Sequence, residues 1–309
     1  MRRLLAVFGA VAMIAAAVVI RRGLDDGGGG NPGKADDKIV IVCAADLEAY
    51  CRALPPEVEV RTVAAADTAE ALRSGSLDGD VDGWVTSSAW LELLGADADA
   101  LGEPERLATS PIGVAAVADR ADEIRGLCGR RPVWGCLAES AGATWAAVGQ
   151  DLPGRVEVGV PSADSASGLA VLASVAAGSL GGVGFASNDF DAEFRANLAA
   201  LVAPSGATDR DPVRTMVTQR GRYSAAGAPG ARIADLRNDA VALLETAPEV
   251  VATIVVVPVR GGDALPGTDA VRKALVAERW TAASGSDTPP TLKDGVMSAL
   301  HEVWLEALR

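Results

Sequence analysis

The sequence predicts an α/β protein whose sheet is mainly parallel and flanked by helices, preceded by one N-terminal transmembrane helix. Short β-branched runs alternate with helical periodicity along the chain, which is the pattern of strands joined by crossover helices. A single apolar segment opens the sequence, and 309 residues are enough for a sizeable core, with about two domains expected from length.

The apolar run covers residues 4–20 and is flanked by Arg2-Arg3 and Arg21-Arg22. As a helix, such a run reaches about 26 Å, at the short end of what spans a bilayer. Residues 1–24 therefore read as a membrane anchor, with a cleavable signal segment as the rival. The small-residue triplet at 15–17 fits a cleavage rule but lies inside the run, which favours the anchor. Arginines on both sides leave orientation by charge ambiguous. Residues 25–37 (DDGGGGNPGKADD) read as a flexible linker.

The globular part begins with a strand at 38–43, a helical pattern at 47–54 and a second strand at 58–63. A helix over 68–73, a strand over 81–86 and a helix over 89–94 complete the first alternation. Strands follow at 112–118 and 156–160, with helical regions at 134–148, 166–177, 185–201 and 213–219. A strand over 223–226 precedes VVATIVVVPV at 250–259, the strongest strand signal in the chain, and helices over 270–283 and 292–308 close it. No internal repeat is evident.

Composition excludes several classes of function. A formal net charge of −13 opposes nucleic-acid binding, which needs a basic face. The single histidine, His301, sits in the amphipathic stretch ALHEVWLEAL and reads as a partly exposed helix residue. That removes multi-imidazole zinc sites and leaves no convergent nucleophile and base, so no enzyme, no cofactor and no metal are expected. Cys43 and Cys51 are eight apart, as are Cys128 and Cys136. Two such pairs suit two small disulfide loops in an oxidising compartment, although four cysteines allow three connectivities. A four-thiolate zinc site is the alternative, against which the spacing argues.

The order of segments resembles the type 2 periplasmic binding-protein fold, and especially its molybdate/sulfate-binding branch, over about residues 38–309. The matching stretches are IVCAADLEAY, VRTVAAADTAEALRSG, DVDGWVTSSAWLELL and VGVPSADSASGLAVLASVAAG. ERWTAASG and GVMSALHEVW are similar to actinobacterial surface proteins that join such a domain to a von Willebrand factor A domain. The resemblance implies two lobes, one of 38–111 with 251–309 and the other of 112–250, with a ligand held between them and strands 112–118 and 250–259 as hinges.

Members of that family hold oxyanions with helix N-termini and small hydroxyl residues, through free N–H groups and the helix dipole. Here Asp46 stands at the first-loop position that is serine in the family, and Asp67, followed by Thr68, stands at the second. A carboxylate there takes the N–H groups an anion would use, and Asp67 with Glu70 has the spacing of a capping box. The expectation is that molybdate and sulfate do not bind. Two readings of the two aspartates stay open: caps in a degenerate cleft, or an acidic cleft for a cation or amine. Ser87, Ser88, Ser165, Ser167 and Tyr223 complete the cleft candidates, the serines also reading as caps and Tyr223 lying a few residues out of register with the family's tyrosine.

Asp78 to Gly83 imitates the start of a calcium loop, but its twelfth position is Ala89 rather than glutamate. The six tryptophans read as core or interface anchors. The functional expectation is a membrane-tethered, extracytoplasmic, non-catalytic solute-binding-like module with an acidic or degenerate cleft, partnered by a von Willebrand factor A-type surface protein. The alternative is the solute receptor of an ABC importer, partnered by its permease and binding a small oxyanion or other solute.

Overall fold

The computed structural model describes residues 38–206, 208–236, 240–259, 265–283 and 295–309. The expected anchor at 1–24, the linker at 25–37 and the first three residues of the expected helix 292–308 lie outside these. No helix among the described residues is long and apolar enough to cross a membrane.

Strands β1 (Ile39–Ala44), β2 (Val58–Val63) and β3 (Val81–Ser87) form the parallel start of the sheet, with β1 between the other two. Between them run α1 (Glu48–Cys51) and α2 (Ala65–Arg73), and α3 (Ser88–Leu94) follows β3 directly. The thirteen-residue β4 (Glu105–Val117) then crosses the molecule. Helices α4 (Ala118–Cys128) and α5 (Val133–Ser140), strand β5 (Val158–Gly159), and helices α6 (Ala166–Leu180), α7 (Ala192–Val202) and α8 (Pro212–Thr218) follow. Strand β6 (Ala225–Pro229), α9 (Gly230–Leu236), β7 (Val241–Glu245), β8 (Val251–Pro258), α10 (Thr268–Ala277), β9 (Thr281–Ala282) and α11 (Val296–Ala307) complete the order.

The main sheet order is β2-β1-β3-β8-β4-β6-β5, with β7 and β9 also pairing to β4. The expectation of a mainly parallel sheet needs correction. β1–β2, β1–β3 and β5–β6 are parallel, but β8 runs antiparallel to β3 and β4, and β4 is antiparallel to β6, β7 and β9. Strand β8 is buried on both faces, so its residues carry the same continuous apolar signature as a central parallel strand and do not report direction.

Strand β4 changes partners midway. Its first half pairs with β8 up to Pro111↔Val251, and its second half pairs with β6 from Ile112↔Pro229 onward. Pro111 sits at the switch, where a missing N–H breaks no ladder. The expected strand at 112–118 therefore starts seven residues earlier, at Glu105. The expected helix over 134–148 ends at Ser140, and that over 185–201 begins only at Ala192, where the Asp191 carboxylate accepts from Phe194 N at 2.8 Å.

The core gathers around α6, which is buried on nearly every face because Ala, Gly and Ser dominate it. It packs tightly on α5: a Cβ on Gly178 would lie 2.7 Å from Trp134 Cβ, and one on Gly135 2.7 Å from Gly178 O. All six tryptophans are buried, Trp280 the least at 5% exposure. Disulfides join Cys43 to Cys51 and Cys128 to Cys136, with Cα–Cα separations of 6.5 and 5.4 Å. The first ties β1 to α1, and the second ties the end of α4 to α5.

Candidate functional site

The site is built where the loop after β1, the start of α2 and the end of β3 meet residues 164–167 at the start of α6. Helix α6 is capped by Ser165, whose hydroxyl oxygen accepts from Gly168 N at 3.0 Å while its hydroxyl donates to Ser162 O at 2.8 Å. Gly168 is required there, because a Cβ would fall 2.3 Å from Ser162 O. The next two free N–H groups of the helix point to Asp46. Ala166 N donates to its carboxylate at 2.9 Å, Ser167 N at 3.0 Å and the Ser167 hydroxyl at 2.9 Å. A carboxylate is the expected occupant of such a terminus, since it satisfies orphan donors and faces the positive end of the helix dipole.

Three further bonds hold the same four residues. The Ser87 hydroxyl donates to Ala166 O at 2.6 Å, Trp90 Nε1 donates to Ser165 O at 3.0 Å, and Ala66 N donates to Asp164 O at 3.3 Å. Segment 164–167 is thereby fastened to the β1 loop, α2, β3 and α3 at once. Ser87, Trp90 and Ser165 are each at most 2% exposed, so the first two of these bonds are made away from water.

Beside this junction lies a cleft of about 620 Å³. Asp46 and Ser167 stand on its wall with Tyr50, Arg210, Arg232 and Trp280. Trp280 Nε1 donates to the Tyr50 hydroxyl at 3.3 Å, and burial pushes the Tyr50 phenol up. Each guanidinium is matched by acids. Arg210 pairs with Asp164 at 2.8 Å, and Arg232 pairs with Asp211 at 2.6 Å and Asp235 at 2.9 Å. Glu278, opposite Asp235, is pushed up by that neighbouring carboxyl. Among the described residues, no group of three His, Cys, Asp or Glu side chains is placed to hold a metal ion.

The other sequence candidates are dispersed. Asp67 is the third residue of α2 and exposed, and the N-cap is Ala64 with no side-chain cap bond, so the Asp67–Glu70 capping box does not form. Asp46 likewise caps no helix of its own loop; it serves α6, 120 residues away in sequence. Thr68 is buried and its hydroxyl donates to Ala64 O within its own helix. Ser88, together with Ser87, lines a separate cavity of about 50 Å³ beside Glu92, whose carboxyl burial pushes up to about 7. Tyr223 is buried, donates to Asp209 at 2.8 Å and lines another cavity beyond β6. Asp82, in the imitation calcium loop, instead accepts from Val40 N at 2.8 Å.

Sequence reasoning missed Tyr50, Arg210, Arg232 and Trp280. A signal existed for Arg210: it precedes Asp211-Pro212, where an N-cap aspartate is followed by proline at the first helical position of α8.

The chain matches no family model and no curated protein. Solved structures do match it. Iron-bound HitA from Pseudomonas aeruginosa aligns at a TM-score of 0.57 and 14% identity, covering 88% of this chain and 98% of that one. The ferric binding protein from Campylobacter jejuni aligns at 0.54 and 12% identity over 87% and 97% of the two chains. An ABC transporter structure from Clostridium perfringens aligns at 0.51 and 11% identity over 88% and 100%. At such identities the likeness is one of fold: the described residues have the α/β architecture of these structures.

Proposed function

We propose that the chain is a membrane-tethered, extracytoplasmic, non-catalytic solute-binding-like module whose anion position is filled by its own Asp46. In this reading residues 38–111 with 251–309 form one lobe and 112–250 the other, Asp46 belongs to the first, and α6 belongs to the second. The observation that carries it is the set of three hydrogen bonds from Ala166 and Ser167 to the Asp46 carboxylate. A tetrahedral oxyanion would need those same donors and would meet a fixed negative charge. The module therefore refuses sulfate and molybdate, and its working partner is a surface protein of the von Willebrand factor A type. The two disulfides support exposure of the body to an oxidising exterior, and residues 1–24 supply the tether.

One observation favours a second reading, the receptor of an ABC importer. The cleft keeps about 620 Å³ beside Tyr50, Trp280 and Arg232, within the ordinary size of a small-molecule site. A thermal-shift screen of oxyanions, metal ions, amines and sugars separates the two. A flat response across the screen is expected for the interaction module. Saturable stabilisation by millimolar-order or lower sulfate or molybdate, beyond the general effect of the salt, would overturn the occupied-anion-site reading. Stabilisation of about 2.7 kcal/mol by another solute at a hundred times its Kd would establish the receptor.

A further inference from the structure

A second cavity, of about 900 Å³, is lined by residues 117–241 only. It lies at the far end of the strands from the cleft. Along β4 and β6, Ile112 pairs with Pro229 beside the cleft, whereas Ala116 pairs with Ala225 next to Ser224 and Tyr223 of this cavity. Four residues of strand separate the two levels, about 13 Å. Nothing in the cleft chemistry accounts for it.

Its walls combine two kinds of surface. Trp145, Met216, Val217 and Val241 are apolar. Arg120, Arg155 and Arg220 bring three guanidiniums, against the two carboxylates of Asp119 and Glu157. Arg155 Nη1 is already used, donating to Gly142 O at 2.5 Å. Arg120 differs. Its guanidinium carbon lies 5.7 Å from the centroid of the Trp145 ring, and its Nη1 is buried without a hydrogen-bond partner. A guanidinium nitrogen always carries hydrogen to donate, and leaving such a donor buried and unpaired is unfavourable. The ring beside it attracts the charge and holds the group at this wall of the cavity.

We propose that this far-end cavity is a second binding site, for a small organic anion with an aromatic or branched apolar body and a carboxylate or phosphate headgroup. Arg120 gives the headgroup a guanidinium donor, Arg220 supplies charge at the exposed rim, and the apolar lining, with half-buried Val117 and Val217, packs the body.

Isothermal titration of the full chain with 3-phenylpropionate and with phenyl phosphate tests it, using benzyl alcohol as the neutral comparator. At least one anion is expected to bind about tenfold or more tightly than the alcohol, and the tighter anion identifies the headgroup. Arg120→Gln should weaken that binding about tenfold or more. Arg220→Gln, at an exposed position, should weaken it about threefold and melt like the parent protein. Should Arg120→Gln fail to fold, the Arg220 variant decides alone. Equal binding of alcohol and anions, no binding of either anion up to about 10 mM, or parental affinity in the folded variants would overturn the proposal.

Discussion

Replacing Asp46 by alanine removes the one acceptor shared by Ala166 N, Ser167 N and the Ser167 hydroxyl. Charge-assisted hydrogen bonds contribute about 1.5–3 kcal/mol each, and a charge at a helix terminus about 0.3–2 kcal/mol. These values do not add, because one carboxylate makes all three bonds and the partly exposed Ser167, on the cleft wall, regains some water. A loss of about 2–4 kcal/mol is the result. Asp46→Asn keeps one acceptor oxygen and loses the charge, so about 1–2 kcal/mol is expected there. Urea denaturation of the full chain measures both.

The same variant carries a sharper test, because an empty helix terminus should accept an anion from solution. If sulfate enters the Asp46→Ala site with a Kd of about 5 mM, about 50 mM sulfate restores about 1.4 kcal/mol. Sulfate also stabilises folded proteins generally, by exclusion from their surface, so the wild type in sulfate and the variant in chloride of matched ionic strength are the controls. The expected outcome is a sulfate gain in the variant that exceeds the gain in the wild type. Equal gains in the two proteins, or an Asp46→Ala variant within about 0.5 kcal/mol of wild type, would refute the assignment of Asp46 as the built-in anion.

Three more outcomes follow from the packing and the charges. The folded-state pKa of Glu92, about 7, lies above its ordinary 4.5, so its neutral form is favoured by folding and that stability is lost as pH rises through about 7. Glu92→Gln should therefore stabilise the protein by about 2–3 kcal/mol at pH 8 and by about 1 kcal/mol or less at pH 5, and a difference independent of pH in melts at both values would refute this. Gly178→Ala places a methyl group 2.7 Å from Trp134 Cβ and should lose about 1–3 kcal/mol in urea melts, whereas Gly181→Ala, with no neighbour within 4 Å but a φ of +78°, should lose about 1 kcal/mol through backbone strain alone. Each disulfide closes a loop between cysteines eight apart, so the Cys128→Ser/Cys136→Ser double variant should lose about 2–3 kcal/mol, read as a lower denaturation midpoint.

How much of this was legible depended on whether a residue's partner lay nearby in sequence. β1, β3 and β8 announce themselves because their runs are buried throughout or nearly so, and β2 through its β-branched Val58, Val60, Thr62 and Val63, although only Val58 is buried. Helix α4 was missed since only Ala121, Ile124 and Cys128 are buried in it, a stripe too narrow to stand out of ADRADEIRGLC. Helix α9 and strand β7 are only seven and five residues long, and β4 hides its first half behind Glu105, Arg106 and Pro111. At the site, sequence pointed to Asp46 as a carboxylate taking helix N–H groups, which is its role, but attached it to the wrong helix. An aspartate just before a helical pattern reads as that helix's cap. Nothing local can say that a helix 120 residues onward will bring its own N-terminus to the carboxylate. Asp67 shows the converse failure, with cap spacing present but the cap role taken by Ala64 and a backbone carbonyl, that of Asp164, reaching Ala66 N.

The tethering of that carboxylate decides what the cleft can take. An intramolecular group competes with a free solute at an effective concentration of millimolar order or above, and an aspartate fixed by disulfide-linked β1 and α1 on either side is better placed than a flexible tether. A sulfate-like anion must therefore displace Asp46 and also find room for the displaced charge beside Asp211 and Asp235. A neutral or cationic solute meets no such competitor, since it has no need of the α6 amides, and Asp211 and Asp235 already pair with Arg232. On the proposed function, the cleft is thus biased against small oxyanions by one carboxylate, while the rest of its wall serves anything that does not need the α6 amides.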